Sequence, residues 1–151
     1  MKETFTIYFK TRWSDFDPNR HMRHSVYYDY AAEVRGRFFE SYNFKLQDFA
    51  RFGIGPVLFR EEANFFKEIH IGETIKGDME LIAASKDFER WVFKHGIYNE
   101  KGDLSAEIKV TGAWIDLQKR KLTKLPESIL EIIKKIPKAK DFTPIEINKS
   151  K

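Results

Sequence analysis

The sequence contains no cysteine. That removes disulfides, thiolate metal centres and a cysteine nucleophile from consideration, and it fits a reducing compartment. Long apolar runs are missing as well. No stretch approaches the length needed to cross a bilayer, and MKETFTIYFK at the start has neither an uninterrupted apolar segment nor a small-residue cleavage signal. The expected setting is therefore cytoplasmic, with no membrane insertion. There is no internal repeat, low-complexity linker or composition break that would mark a domain boundary. Charge is not gathered into blocks either: 27 Lys and Arg are interspersed with 23 Asp and Glu, leaving a net charge of +4. With no interleaved basic and aromatic motif, nucleic acid is not an expected partner. The small basic excess suits a phosphorylated small molecule.

Large apolar side chains are plentiful. The 151 residues are 42% hydrophobic and include fourteen Phe, enough for one sizeable core. A single domain over residues 1–151 is expected, with its core at about 4–126 and a C-terminal helix and loose tail over 126–151. Residues 4–13 alternate Phe5, Ile7 and Phe9 with polar neighbours, the period of a strand. Tyr27, Tyr30, Ala31, Val34 and Phe38 then recur at three- and four-residue steps, which predicts one long amphipathic helix starting near His24 or Ser25. Gly36 inside it costs roughly 1 kcal/mol against Ala and suggests a close approach by another backbone. Leu46, Phe49 and Ala50 fit a short helix closed by Gly53. Strand patterns follow over 57–66 and 74–84, and then on either side of the turn at Asn99 to Gly102. Pro126 opens a last helix and Pro137 ends it. Strand, long helix, then a run of strands is the α+β arrangement in which a helix lies across a curved antiparallel sheet. The open edge of such a sheet invites a second copy of the chain.

The chemistry-bearing residues crowd between that first strand and the long helix. Asp15, Asp17, Asn19, His21 and His24 fall within ten residues, on a loop that leads into a helix start, where unpaired backbone N–H groups favour negative charge. Asp17 before Pro18 and Asn19 is also ordinary turn chemistry. Asp15 is read as a structural partner at the strand end. His21 and His24 carry metal donors, but a one-sided cluster without a distant further ligand is a weak metal signal, so no metal and no cofactor are expected.

Asp15-x-Asp17-x-Asn19-x-His21-Met22, with Tyr27 ten residues and Arg35 eighteen residues beyond Asp17, resembles the acidic-loop motif of the hotdog-fold acyl-CoA thioesterases of the 4-hydroxybenzoyl-CoA thioesterase superfamily. Gly72-Glu73, Trp114-Ile115-Asp116 and Leu125-Pro126 add to the likeness, which covers about residues 4–126. Two positions depart from the common pattern: Arg20 stands where many bacterial members have Gly, and Arg23-His24 where others have an Asn pair. Another branch has His at the position of His24.

The resemblance implies a hotdog fold, assembled as a homodimer or homotetramer, that hydrolyses an acyl-CoA thioester, or an acyl-carrier-protein thioester, to free acid and thiol. It implies Asp17 as nucleophile or general base, Asn19 and His21 as orienting groups, and an oxyanion donor at the backbone N–H of His24 or a neighbour. Tyr27, Phe38 and Phe59 are the expected acyl neighbours. Lys67 and Arg90 belong to a scattered set of cations available to phosphates. Two alternatives remain, a non-catalytic acyl-CoA or lipid-binding hotdog protein and a hotdog hydratase or dehydratase, although the Asp/His arrangement of the latter is missing.

Overall fold

Period-two and period-3.6 patterning become the two layers of the fold. The computed structural model describes residues 4–147. In chain order its elements are β1 (Phe5–Lys10), α1 (Val26–Glu40), α2 (Leu46–Phe52), β2 (Ile54–Phe65), β3 (Thr74–Ser85), β4 (Arg90–Tyr98), β5 (Leu104–Asp116), β6 (Lys121–Leu122), α3 (Glu127–Ile133) and β7 (Lys138–Ile145). The strands form one sheet in the order β1-β3-β4-β5-β2, with β6 added to β5 and β7 added to β3. All pairings are antiparallel except β3 with β7. The sheet is curved and α1 packs against β1, β3, β4 and β5, which is the hotdog architecture.

The apolar stripe of α1 fixes this layering. Val26, Ala31, Val34 and Phe38 are almost wholly buried, together with Ile75, Met79, Leu81, Phe93, Ile97, Ile108 and Val110 from the sheet. Burial of a side chain the size of Val34 or Phe38 stabilises the fold by roughly 1.5–3 kcal/mol each. The close approach expected at Gly36 occurs elsewhere. A Cβ added at Gly36 would meet nothing within 4 Å, whereas one added at Gly77 on β3 would lie 2.7 Å from Val34 Cγ2. The glycine that lets helix and sheet approach is therefore on the strand.

The tail also departs from expectation. Residues 138–145 are a strand, not loose chain: β1 pairs with β3 from Thr74 to Met79, and β7 takes over the same edge from Leu81 to Ser85. Its inward residues, Ala139, Phe142 and Ile145, are spaced by three, and Pro144 interrupts the polar pattern. An edge strand tolerates both, because one side of its backbone needs no partner. At the front of the chain, the strand stops at Lys10 and residues Trp13–Asp15 make one turn of 3-10 helix. That turn sends the chain across the start of α1.

Candidate active site

Asp15 anchors the loop. Its side chain has no exposed surface, and it accepts hydrogen bonds from Arg12 N at 2.9 Å, from Arg12 Nη2 at 3.1 Å and from the Tyr30 hydroxyl. Burial alone would raise its pKa, but the hydrogen bonds from Tyr30 and Arg12, with the Arg12 charge, outweigh burial and hold the carboxyl below its usual range. Tyr30 responds the other way: burial, then the bond to Asp15, push its hydroxyl upward. The Asp15 backbone carbonyl also accepts Arg23 N at 2.9 Å, and Arg23 Nη2 reaches the Ser14 carbonyl at 2.8 Å. Asp15 is thus a structural partner, in a 3-10 turn instead of at a strand end.

Two residues on, the chain makes a small hairpin. Phe16 bridges Met22, Asp17 N donates to His21 O at 3.0 Å, and Arg20 N donates to Asp17 O at 2.9 Å. Pro18 and Asn19 occupy the middle of that turn, and Arg20 follows with φ of 67°. A β-turn followed by one left-handed residue is a standard three-residue hairpin connection, and glycine adopts that last conformation without strain. Arg20 adopts that conformation at a cost of about 1–2 kcal/mol relative to glycine.

The hairpin leaves Asp17 half committed. Its Oδ1 accepts the backbone N–H groups of Asn19 at 2.9 Å and His21 at 3.2 Å. Among the described residues Oδ2 accepts nothing. Asn19 contributes its backbone, and its side chain is exposed. His21 is half-buried, with Nε2 3.0 Å from Glu68 Oε2 and its ring edge-on to His70 at 5.0 Å. At the helix entry, Val26 N bonds to Arg23 O, while the N–H groups of His24 and Ser25 have no partner among the described residues. They are the unsatisfied donors of a helix start.

Asp17, His21, Met22 and His24 line one cavity of about 390 Å³ with Tyr27 from α1 and residues 65–68 from the end of β2. Tyr27 is buried and meets Phe65 edge-to-face at 5.1 Å. Burial, then the nearby charges of Glu68 and Glu73, push its hydroxyl up to about 12, so it stays protonated. Phe66, Lys67 and Glu68 are shared with a second cavity of about 750 Å³. Phe65, Phe66 and Glu68 are the part of the site that sequence reasoning missed, and Lys67 enters that reasoning only as one of the scattered cations. Two aromatic residues at the end of a strand gave no signal that they would return to a loop more than forty residues earlier.

Phe38 and Phe59 do not line this cavity. Phe38 is deep in the core, edge-on to Phe5 at 5.2 Å, and Phe59 is half exposed on β2, with the Arg90 guanidinium 5.8 Å from its ring centre. Arg35 points elsewhere too. Its Nη1 lies 3.1 Å from His95 Nε2, and His95 Nδ1 lies 2.9 Å from the Asp78 carbonyl. A carbonyl can only accept and a guanidinium can only donate, so His95 is neutral with its proton on Nδ1. Burial, then the Arg35 charge, lowers its pKa from 6.5 to about 3. The Asp78 carboxylate accepts Gly96 N at 2.6 Å and the Tyr98 hydroxyl at 2.9 Å, closing the network.

The profile of the thioesterase-like superfamily matches residues 11–133. The chain belongs to the thioesterase-like superfamily. Membership gives this thioesterase-like chain thioester hydrolysis as its class of reaction. Similar solved structures include a DHNA-CoA thioesterase from Staphylococcus aureus, 21% identical, covering 87% of this chain and 89% of that one with a TM-score of 0.79. The 1,4-dihydroxy-2-naphthoyl-CoA thioesterase Slr0204 from Synechocystis is also 21% identical, covering 88% and 97%, with a TM-score of 0.79. A hypothetical Staphylococcus aureus protein in complex with CoA is 21% identical, covering 89% and 84%, with a TM-score of 0.80. At that identity these likenesses bear on the fold alone. No curated protein matches the chain. Among the described residues no helix is long and apolar enough to cross a membrane.

Proposed function

We propose that this thioesterase-like chain hydrolyses an acyl-CoA thioester, with the free oxygen of Asp17 as the reacting carboxylate atom. The observation that carries the reading is the division of labour within Asp17, which lines the cavity: two backbone N–H groups fix Oδ1, while Oδ2 has no protein partner among the described residues. A fixed carboxylate on a cavity that His24, at the entry to α1, also lines would supply both elements that acyl transfer needs, an attacking group and backbone donors for the oxyanion. The similar structures named for CoA thioesterases, and the one bound to CoA, favour CoA as the carrier.

Two routes fit this geometry. As a base, Oδ2 takes a proton from water, and the hydroxide adds to the thioester carbonyl. The tetrahedral oxyanion is received by the N–H groups at His24 and Ser25, and its collapse breaks the C–S bond. The CoA thiolate leaves with the proton held by Asp17. As a nucleophile, Oδ2 itself adds to the carbonyl and expels the thiolate, and water then cleaves the mixed anhydride. In both routes His21, held by Glu68, orients the loop and the carboxylate. Tyr27 and Phe65 form the acyl wall, and Lys67 is a cation available to CoA phosphates.

The chain is proposed to act as a single domain in the cytoplasm and as a homodimer. β2 ends the strand order, twelve residues long, and exposes Leu58, Phe59 and Phe65 along that free edge. Pairing with a second copy would cover them.

The test is a panel of acyl-CoAs with a thiol reagent. Release of CoA thiol at catalytic rates on at least one member is expected; saturable binding of acyl-CoAs without release would make the chain a carrier instead. In single-turnover hydrolysis in ¹⁸O-water, label in Asp17 marks the anhydride route with water attack at the Asp17 carbonyl, whereas the base route and attack at the acyl carbonyl label only the released acid; trapping an acylated Asp17 distinguishes those two. Sedimentation showing a fully active monomer would remove the edge-to-edge dimer.

A further inference from the structure

Beside the Asp17 cavity stands a cluster that the proposed hydrolysis uses only in part. His21, Glu68 and His70 bring one donor atom each to within 4.8 Å of one another. Their arrangement is built by the backbone. Met22 N donates to Ile69 O at 2.9 Å and Ile71 N donates to Arg20 O at 3.0 Å, on either side of the antiparallel bridge between His21 and His70. The two histidines are therefore a non-hydrogen-bonded cross-strand pair, the pairing that brings side chains closest. Glu68 lies two residues before His70, on the same side of extended chain. The Glu73 carboxylate accepts the N–H groups of His70 and of Glu100, so it fixes the His70 segment and is itself committed.

We infer that His21, Glu68 and His70 form a binding site for one divalent transition-metal ion of the zinc type. Two imidazoles and one carboxylate are a borderline donor set that suits zinc and its neighbours better than magnesium or calcium, and three protein ligands leave a position open to water or an exogenous group. The geometry is close to what such an ion requires. Metal–ligand bonds of about 2.0–2.1 Å place tetrahedral donors about 3.3 Å apart. His21 Nε2 and Glu68 Oε2 are already 3.0 Å apart. Within a 4.8 Å cluster the remaining adjustment is at most about 1.5 Å, which rotation of the exposed His70 side chain supplies. The ion would lie on the wall shared by the two cavities, since His21 lines one, His70 the other and Glu68 both. This site is distinct from a pairing of His21 with His24 and the loop acids: its further ligands come from the segment after β2.

The test uses the chelator-stripped full chain titrated with CoCl₂ and followed by its visible absorption, with ZnCl₂ calorimetry alongside. One equivalent per chain is expected, with the intense bands of a low-symmetry cobalt site. His70→Ala should weaken binding at least ten-fold, and Glu68→Gln should alter the spectrum. Asp17→Asn, which removes hydrolysis under the proposed function, should leave metal binding unchanged, so the two proposals fail separately. Absence of saturable binding would overturn the inference, as would His70→Ala that binds like the wild type while both proteins melt cooperatively.

Discussion

Two polar clusters in this molecule use the same residue types to opposite ends. In the sheet, Arg35, His95, Asp78, Gly96 and Tyr98 form a chain in which both imidazole nitrogens and both carboxylate oxygens are partnered, and His95 is wholly buried. On the loop, among the described residues, Asp17 has one oxygen fixed and one without a partner, and two backbone N–H groups at the helix entry lack partners. The first cluster leaves neither the imidazole nor the carboxylate with an unpartnered atom. It replaces a stretch of ordinary ladder: no strand pairing joins Asp78 to Gly96, and the carboxylate takes the Gly96 N–H instead. The second cluster is open toward a cavity. The difference shows that polarity and titratable groups do not by themselves mark a site; unspent hydrogen-bonding capacity facing space does.

The contrast is sharpest in substitutions that remove one carboxylate from each cluster. Asp17→Asn retains the hairpin bonds and removes the charge, so turnover is expected to fall on the order of 10² to 10⁴ while the melting temperature barely moves. Asp78→Ala should do the reverse. It strands the buried Gly96 N–H, at about 1–3 kcal/mol for a buried group left unsatisfied, and releases the half-buried Tyr98 hydroxyl, so chemical denaturation should show a loss of about 2–3 kcal/mol. Remaining folded enzyme should turn over at close to the normal rate.

A smaller effect appears with pH. His95 stays neutral in the folded chain down to about 3, whereas in the unfolded chain it takes a proton near 6.5. Protons therefore favour unfolding throughout that window, and stability from this group is full above the unfolded value and lost as pH falls. Between about pH 6.5 and 4.5 the loss should be about 2 kcal/mol. His95→Gln, which keeps a donor and an acceptor in place, should flatten that slope; an unchanged slope would mean that His95 protonates in the folded protein. Further down in pH, the depressed carboxyl of Asp15 adds a loss of its own as it protonates.

The smallest effect belongs to the hairpin. Arg20→Gly should leave stability within about 1 kcal/mol of the parent, because relief of the left-handed backbone offsets the greater freedom of glycine in the unfolded chain. Arg20→Val, β-branched at φ of 67°, should be clearly less stable by thermal melting.

Much of the fold could be read before any coordinates, for physical reasons that show where reading stops. The stripe from Val26 to Phe38 and the alternation of Trp91, Phe93, His95 and Ile97 are strong periodic signals, and both are buried as those periods require. Asp17, His21, His24 and Tyr27 lie close in sequence, so a loop and one helical turn suffice to bring them to one cavity. The opposite wall depends on where β2 ends relative to that loop, a property of the sheet that no local pattern encodes. The last strand escaped notice because its buried residues do not alternate. Gly77 looked like an ordinary strand residue, yet its missing Cβ decides how closely α1 approaches.

The most direct measurement compares the two acids of the loop in a single experiment. Asp15→Asn and Asp17→Asn are purified, melted, and assayed on the best acyl-CoA substrate under identical conditions. The roles assigned here require Asp17→Asn to melt like the parent with turnover reduced at least a hundred-fold, and Asp15→Asn to melt lower but retain substantially more turnover per folded molecule. Full activity in Asp17→Asn, with turnover lost instead in a normally folded Asp15→Asn, would contradict the assignment of the reacting carboxylate.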